Sequence, residues 1–311
     1  MKTQAHSKLE SKLKTGTIIR GKWHQKNYRI HKKLGEGAIG TVYLCDVNGK
    51  LAALKISDKG TSMTLEVNVL KSLQQVQGSR LGPYLLDVDD WKSPSGKLYS
   101  FYVMEYVKGE TITDFLKKHG SGWIGILLMQ LLEDLERLHQ SGWVFGDLKL
   151  DNLIVSSGQP RVRFVDVGGT TQLGRGIKEF TEFYDRGYWG MGTRRAEPSY
   201  DLFCLAMIML HIYYPKRFVR GPHPEKILFK KLDLVKPLAP YREVLRGALT
   251  GKYRNSTEMK KELAKILHNR DRKTRRQNKT KKNMTAVSLY IELTSISFIA
   301  GGYYLLSVLI G

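Results

Sequence analysis

The sequence predicts an α+β protein that is strand-rich near its start, helical further on, and closed by one C-terminal transmembrane helix. Three observations predict it. Residues 28–56 (YRIHKKLGEGAIGTVYLCDVNGKLAALKI) alternate apolar and polar positions around glycine turns, as successive strands do. Residues 126–142 (ILLMQLLEDLERLHQSG) carry apolar positions at helical spacing and stop at Gly142. Leu289 to Ile310 (LYIELTSISFIAGGYYLLSVLI) form a nearly uncharged apolar run.

Composition narrows the classes. With 311 residues, 41% of them apolar, the chain can bury a substantial core, which excludes wholesale disorder. Cys45 and Cys204 make neither a disulfide framework nor a zinc site, and so few thiols suit a reducing compartment. Lys and Arg number 51 against 29 Asp and Glu, a formal charge of +22. A field of that sign favours nucleic acid, anionic lipid or acidic protein without choosing among them. The excess sits at the ends. Residues 1–33 hold ten Lys/Arg against Glu10 alone, and residues 268–283 (HNRDRKTRRQNKTKKN) hold eight against Asp271 alone. The opening MKTQAHSKLESKLK has no apolar core of a secretory signal.

The terminal run is long enough to span a bilayer. Its 22 residues would cover about 33 Å as a helix, against a hydrocarbon core of roughly 30 Å. Its one charge, Glu292, lies near the start, where a carboxylate costs less than the roughly 2.5–3.5 kcal/mol of the bilayer centre. A buried helix of a soluble domain is the bland alternative, but it suits so long and uniform a run poorly. The cations just before it place the upstream chain in the cytoplasm, so residues 286–310 read as a single-pass tail anchor in the cell membrane. Gly301 and Gly302 stand side by side rather than four apart, so they permit helix association, and hence a dimer, without predicting it.

The first turn of the strand region is Gly35-Glu36-Gly37-Ala38-Ile39-Gly40, followed by Thr41 and Val42. Glycines let a backbone approach phosphates closely. A dinucleotide fingerprint would need a helix next; the strand-like TVYLCDV that follows favours a hairpin lid instead. Lys55 lies on an apolar strand in LAALKIS, where a solvated sheet face is the ordinary reading. Glu66, in the helix-spaced TSMTLEVNVLKSL, is the acid placed to pair with it. The strand FYVMEYVKGETI runs into a glycine turn, and the later helix presents Ile126, Leu127, Met129, Leu131, Leu132, Leu135 and Leu138 as a core stripe. In WVFGDLKLDNLIV, Asp147, Lys149, Asp151 and Asn152 crowd between apolar flanks and therefore need partners. RVRFVDVGGTT ends a strand at Asp166, which with Asn152 offers hard oxygen ligands for Mg²⁺ against nucleotide phosphates.

Taken in order, these motifs resemble the protein-kinase signature set, over roughly residues 28–267. The resemblance implies a two-lobed fold, a small β-rich N-lobe and a larger helical C-lobe, and an ATP-dependent serine/threonine protein kinase using Mg²⁺ or Mn²⁺. GEGAIG with Val42 resembles the Gly-rich loop, so Gly35, Glu36, Gly37, Ala38, Gly40 and Val42 would line ATP. Ala53 and Leu153 would also line ATP, and Met104 resembles the gatekeeper before a hinge at Glu105 to Val107. Lys55 with Glu66 would anchor the α/β-phosphates, Asp147 would take the proton of the substrate hydroxyl, and Lys149 would neutralise the transferring phosphoryl group. Asn152 and Asp166 would hold the metal. The D-x-K-x-x-N spacing at Asp147 goes with serine/threonine specificity, whereas Gly146 before it is common in kinases of small molecules.

Three departures bear on regulation. Phe145-Gly146 replaces the usual His-Arg, which removes the arginine that pairs with a phosphorylated activation segment. Val167 replaces the usual Phe after the metal-binding Asp. Ala196-Glu197-Pro198 has the letters of the APE motif displaced, too close to SYDLFCLAMIML, where Asp201 would be structural at a helix start. Thr170, Thr171, Thr181, Thr193 and Ser199 are open to autophosphorylation. The chain is most similar to the short, tail-anchored, bacterial Hanks-type kinases of spore-forming Bacillus-type bacteria. The expected organisation is a basic extension over 1–27, an N-lobe and hinge over 28–108, a C-lobe over 109–267, a basic linker over 268–285 and the membrane helix over 286–310. The linker would bind anionic lipid and could bind DNA through phosphates; it has no aromatic residue to stack on bases. A membrane-bound pseudokinase scaffold and a small-molecule phosphotransferase stay open as alternatives.

Overall fold

The structure, a computed structural model, describes residues 13–37, 39–75 and 81–272. Alternation in the first third becomes antiparallel strands β1 (Ile18–Arg20), β2 (Asn27–Glu36), β3 (Thr41–Val47), β4 (Lys50–Ser57), β5 (Leu85–Lys92) and β6 (Leu98–Glu105). They form one sheet in the order β1-β2-β3-β4-β6-β5. Helix α1 (Gly60–Gln74) packs on β5 and β6. Period two in β4 sends Ala52, Leu54 and Ile56 into a core with Ile19, Tyr28, Ile30, Phe101 and Val103.

That core is closed by the first hairpin. The turn after β1 crosses to the other edge of the sheet, where Lys22 N donates to Asp90 O at 2.8 Å. The backbone N–H groups of Trp23 and His24 donate to Asp89 at 2.9 and 2.8 Å, and Asp87 takes Lys26, Tyr28 and His24. Residues 13–27, read from sequence as part of a basic extension, therefore belong to the N-lobe: Ile19 is fully buried and β1 pairs with β2.

Past the hinge come β7 (Gly109–Thr111), α2 (Ile112–His119), α3 (Ile124–Gln140), β8 (Trp143–Val144), β9 (Leu153–Ser156), β10 (Val162–Phe164) and β11 (Thr171–Gln172). The last part holds α4 (Arg186–Trp189), α5 (Pro198–Tyr213), α6 (Pro224–Leu234) and α7 (Arg242–Leu249), then a helix starting at residue 256. Helix α5 is apolar all round and buried from Tyr200 to Ile212, as the central helix of a lobe must be. Leu131, Leu132 and Leu135 of α3 are fully buried, so truncating one to Ala costs about 2–5 kcal/mol. Ile126 corrects the stripe expected for this helix. It is 44% exposed while Leu128 is buried, because the 3.6 period running from Ile124 puts 124, 127, 128, 131, 132 and 135 on one face.

The chain divides into two compact units, Met1–Lys261 and Glu262–Gly311, and in the second residues 262–272 are helical. Among the described residues no helix is long and apolar enough to cross a membrane. The expected anchor over 286–310, its Glu292, Gly301 and Gly302, and residues 273–285 of the linker lie outside the described residues. So do Ala38 and residues 1–12.

Candidate active site

The same alternation that buries Leu54 and Ile56 leaves Lys55 on the opposite face of β4, toward α1. Lys55 Nζ lies 2.8 Å from Glu66 and 3.5 Å from Asp166 Oδ1. Glu66 sits on the buried face of α1 with Met63, Val67 and Leu70, and its Oε2 accepts from the Tyr102 hydroxyl at 2.8 Å. Burial alone would lower the Lys55 ammonium, yet Asp166 and Glu66 hold it above its ordinary value. Burial also lifts the Glu66 carboxyl, against the pull of Lys55. One cation thus serves two carboxylates.

Gly35 and Glu36 end β2 opposite Val42 and Thr41, and Gly37 N donates to Gly40 O at 2.9 Å. A side chain at Gly40 would put Cβ 2.5 Å from Ile56 O, so the lid closes onto β4 only with glycine there. A Cβ added at Gly35 or Gly37 would meet nothing within 4 Å. Ala53 pairs with Met104 at the back of the cleft, and Val42 lies opposite Lys55 in register. Val107 and Leu153 are buried nearby in sequence to the hinge and catalytic loop. The Glu105 carboxylate is committed elsewhere: it accepts from Arg163 at 3.0 Å and from Tyr84 N at 3.3 Å, while Glu105 N donates to Tyr84 O.

The catalytic loop hangs from α5. Asp201, fully buried, accepts from Phe145 N at 2.7 Å, Gly146 N at 3.0 Å and His139 Nε2 at 2.9 Å. The next residue, Asp147, is ion-paired with Lys149 and accepts from Thr181 Oγ1 at 3.0 Å. Asn152 Nδ2 donates to Asp147 O at 3.0 Å, which leaves its amide oxygen as the acceptor end. Asp166 lies two residues past the end of β10, not at a strand end as expected from sequence, and its carboxylate is 44% exposed. In the activation segment the Glu179 carboxyl is raised, first by burial and then by Glu66, with Asp147 and Asp166 adding to the effect. The Asp166 carboxylate and the Asn152 amide oxygen are hard oxygen donors of the kind a divalent cation takes, although among the described residues no group of three or more His, Cys, Asp or Glu side chains stands together as a metal site.

The structure brings Lys55, Glu66 and Asp166 together, and Asp147, Lys149 and Asn152 together, as the motif order implied. Thr181, one of the phosphorylation candidates, donates its hydroxyl to Asp147, with Lys149 Nζ at 3.5 Å. Thr170 is buried and Ser199 Oγ accepts from Arg186 at 2.9 Å. Glu197, from the displaced Ala-Glu-Pro, is ion-paired with buried Arg186, and Asp185 caps α4. Tyr102, Arg163, His139 and Asp201 support the site; of these the sequence had marked only Asp201, as structural. Nothing in the local pattern distinguishes Tyr102 or Arg163.

Similar proteins agree with this geometry. Residues 28–285 match the protein kinase domain family. Over 264 residues the chain is 48% identical to the serine/threonine-protein kinase YabT of Bacillus subtilis, covering 85% of this chain and 78% of that one. The serine/threonine-protein kinase max-2 of Caenorhabditis elegans is 29% identical over 50% of this chain and 24% of its own length. The kinase domain of Mycobacterium tuberculosis PknI superposes with a TM-score of 0.55 at 18% identity, covering 82% of this chain and 99% of that one, a likeness of fold. The chain belongs to the protein kinase family and is an ATP-dependent serine/threonine protein kinase.

Proposed function

We propose that this kinase works at a membrane, on cytoplasmic proteins, and that Asp147, Lys149, Lys55, Glu66, Asn152 and Asp166 carry the transfer. The observation behind it is that Lys55 reaches both Glu66 and Asp166 while Asp147 and Lys149 meet around one hydroxyl, that of Thr181. A substrate serine or threonine hydroxyl approaches the Asp147 carboxylate alongside the Thr181 hydroxyl, which stays bonded to Asp147 Oδ1. Its oxygen bonds the γ-phosphorus of ATP as the bond to the β-phosphate oxygen breaks; Asp147 receives the proton and ADP leaves. Lys149 offsets negative charge on the moving group, and Lys55, fixed by Glu66, holds the α/β-phosphates in register. Asn152 and Asp166 would hold a divalent ion, Mg²⁺ or Mn²⁺, which would supply charge neutralisation on the phosphates. The glycines at 35, 37 and 40, Ala53, the main chain of Glu105 to Val107, and Leu153 form the nucleotide cleft.

Residues 286–310 supply the membrane anchor and residues 268–283 a polyanion sensor; the apolar run and the eight cations support these two readings. The 48% identity to a serine/threonine-protein kinase favours protein over small-molecule substrates. The test follows phosphate transfer from labelled ATP with Mg²⁺ to a basic protein and to the chain itself, with Asp147→Asn as control. Each assay runs with and without DNA, and with anionic vesicles, at low and high salt. Loss of transfer in Asp147→Asn supports the assignment, and stimulation by DNA that fades with salt supports the sensor. Stimulation unchanged by salt, or absent with both polyanions, rejects the sensor; transfer that survives Asp147→Asn rejects the catalytic assignment.

A further inference from the structure

We propose that Ser256, at the first turn of the helix starting at residue 256, is a positioning residue for the catalytic loop. The connection is a chain of hydrogen bonds. Ser256 Oγ lies 3.1 Å from His139 Nδ1; His139 Nε2 lies 2.9 Å from Asp201; and Asp201 accepts from Phe145 N and Gly146 N, next to Asp147. The donors set the tautomer. Asp201 has only acceptor oxygens as a carboxylate, so His139 Nε2 carries the hydrogen, Nδ1 is the acceptor, and the Ser256 hydroxyl donates.

The ordinary duty of a serine at a helix start is to cap it, and here that duty is discharged by others. Asn255 Oδ1 accepts from Glu258 N at 3.0 Å, and Glu258 reaches back to Arg254 N at 2.9 Å. Ser256 is nevertheless 1% exposed, with its hydroxyl spent on His139, 117 positions away in sequence. Two neighbours in the same turn make a separate attachment: Thr257 and Lys260 both bind Glu136 of α3. The helix start is thus tied down twice, once to the outside of α3 and once to the hydrogen-bond line that ends at the catalytic loop.

A loose imidazole would let Asp201 rotate away from two backbone N–H groups whose spacing places Asp147. Small shifts there matter, because transfer depends on sub-ångström alignment of the attacking hydroxyl. The residues that follow this turn lead in sequence to the basic run at 268–283, so the chain that would carry a polyanion signal passes first through a residue that supports the loop.

The test uses full-length protein and steady-state transfer to a protein substrate, with active molecules counted by stoichiometric binding of a fluorescent ATP analogue. In Ser256→Ala we expect kcat per folded molecule to fall about three- to tenfold with KM for ATP within twofold, and Ser256→Thr to recover most of kcat. Thr257→Val, which removes the parallel bond to Glu136, controls for general loosening: its Tm should fall comparably with kcat per folded molecule unchanged. Equal loss of kcat in Ser256→Ala and Thr257→Val, or no loss in Ser256→Ala, overturns the proposal.

Discussion

Gly146 stands where most protein kinases carry an arginine, and its replacement is the most discriminating perturbation the fold offers. Its φ is +77°, a region in which a side chain costs about 1–2 kcal/mol. A Cβ there would also lie 2.5 Å from Gly169 O and 3.2 Å from Ile177 Cδ1. Relieving the first contact needs a shift of nearly 1 Å in the backbone of either the catalytic loop or the turn after Asp166, since C···O contacts rarely fall below about 3.3 Å. Forced repacking of that kind typically costs about 1–3 kcal/mol. Gly146→Ala should therefore lose about 2–5 kcal/mol, which for a protein of this size lowers Tm by about 4–10 °C. Because Gly146 N also anchors on Asp201, kcat should fall at least tenfold in the molecules that stay folded. Gly146→Arg should be worse and should not gain phosphorylation-dependent activation. The measurement is a calorimetric melt paired with transfer kinetics. If Gly146→Ala melts within 2 °C of the parent and keeps kcat within twofold, the close approach of Gly169 is not what holds glycine at this position.

Three further outcomes follow from the same geometry. Burial alone would raise the Asp87 carboxyl, but hydrogen bonds from Lys26, Tyr28 and His24 pull it down to about 2 from 3.8. A depressed folded value means stabilisation that is complete above pH 4 and lost as pH falls toward 2; with its partners half exposed it amounts to about 1–2 kcal/mol. Asp87→Asn should lower stability at pH 7 by that amount and flatten urea-melt stability between pH 4 and 2; an unchanged slope would reject the clamp. Tyr102→Phe strips one of the Glu66 partners and should cost about 1–3 kcal/mol in urea melts, with a higher KM for ATP as Lys55 loosens. Thr181→Ala should reduce kcat about fivefold or more with KM for ATP unchanged, and Thr181→Ser should retain kcat, since only the hydroxyl reaches Asp147. Equal kcat in Thr181→Ala and the parent would remove Thr181 from the site.

Much of the site was legible because its parts are local. Gly35 to Gly40, Lys55, and the run from Asp147 to Asn152 each carry their chemistry within a few residues, and their order along the chain is the order of the elements that converge. Residues whose roles arise only from convergence were not legible. Thr181 meets Asp147 across 34 positions, His139 meets Asp201 across 62, and Arg163 meets Glu105 across 58. A threonine in a polar stretch looks the same in sequence whether it faces solvent or a catalytic carboxylate. Nothing in LLDVDDWK of β5 announces partners for its aspartates; the hairpin crossing from the far edge of the sheet gives Asp87 and Asp89 theirs.

The sequence by itself determined the family, the order of the two lobes and the residues proposed to meet phosphate and metal. It did so because period-two alternation, helical spacing and short polar clusters are set by the chain's own neighbours. Only the tertiary structure decided that the first hairpin closes the small lobe, that Gly146 has no room for a side chain, and that Ser256 reaches the catalytic loop through His139 and Asp201. Those three depend on distances between segments far apart in the chain, and burial, which makes each contact count, exists only once the chain has folded.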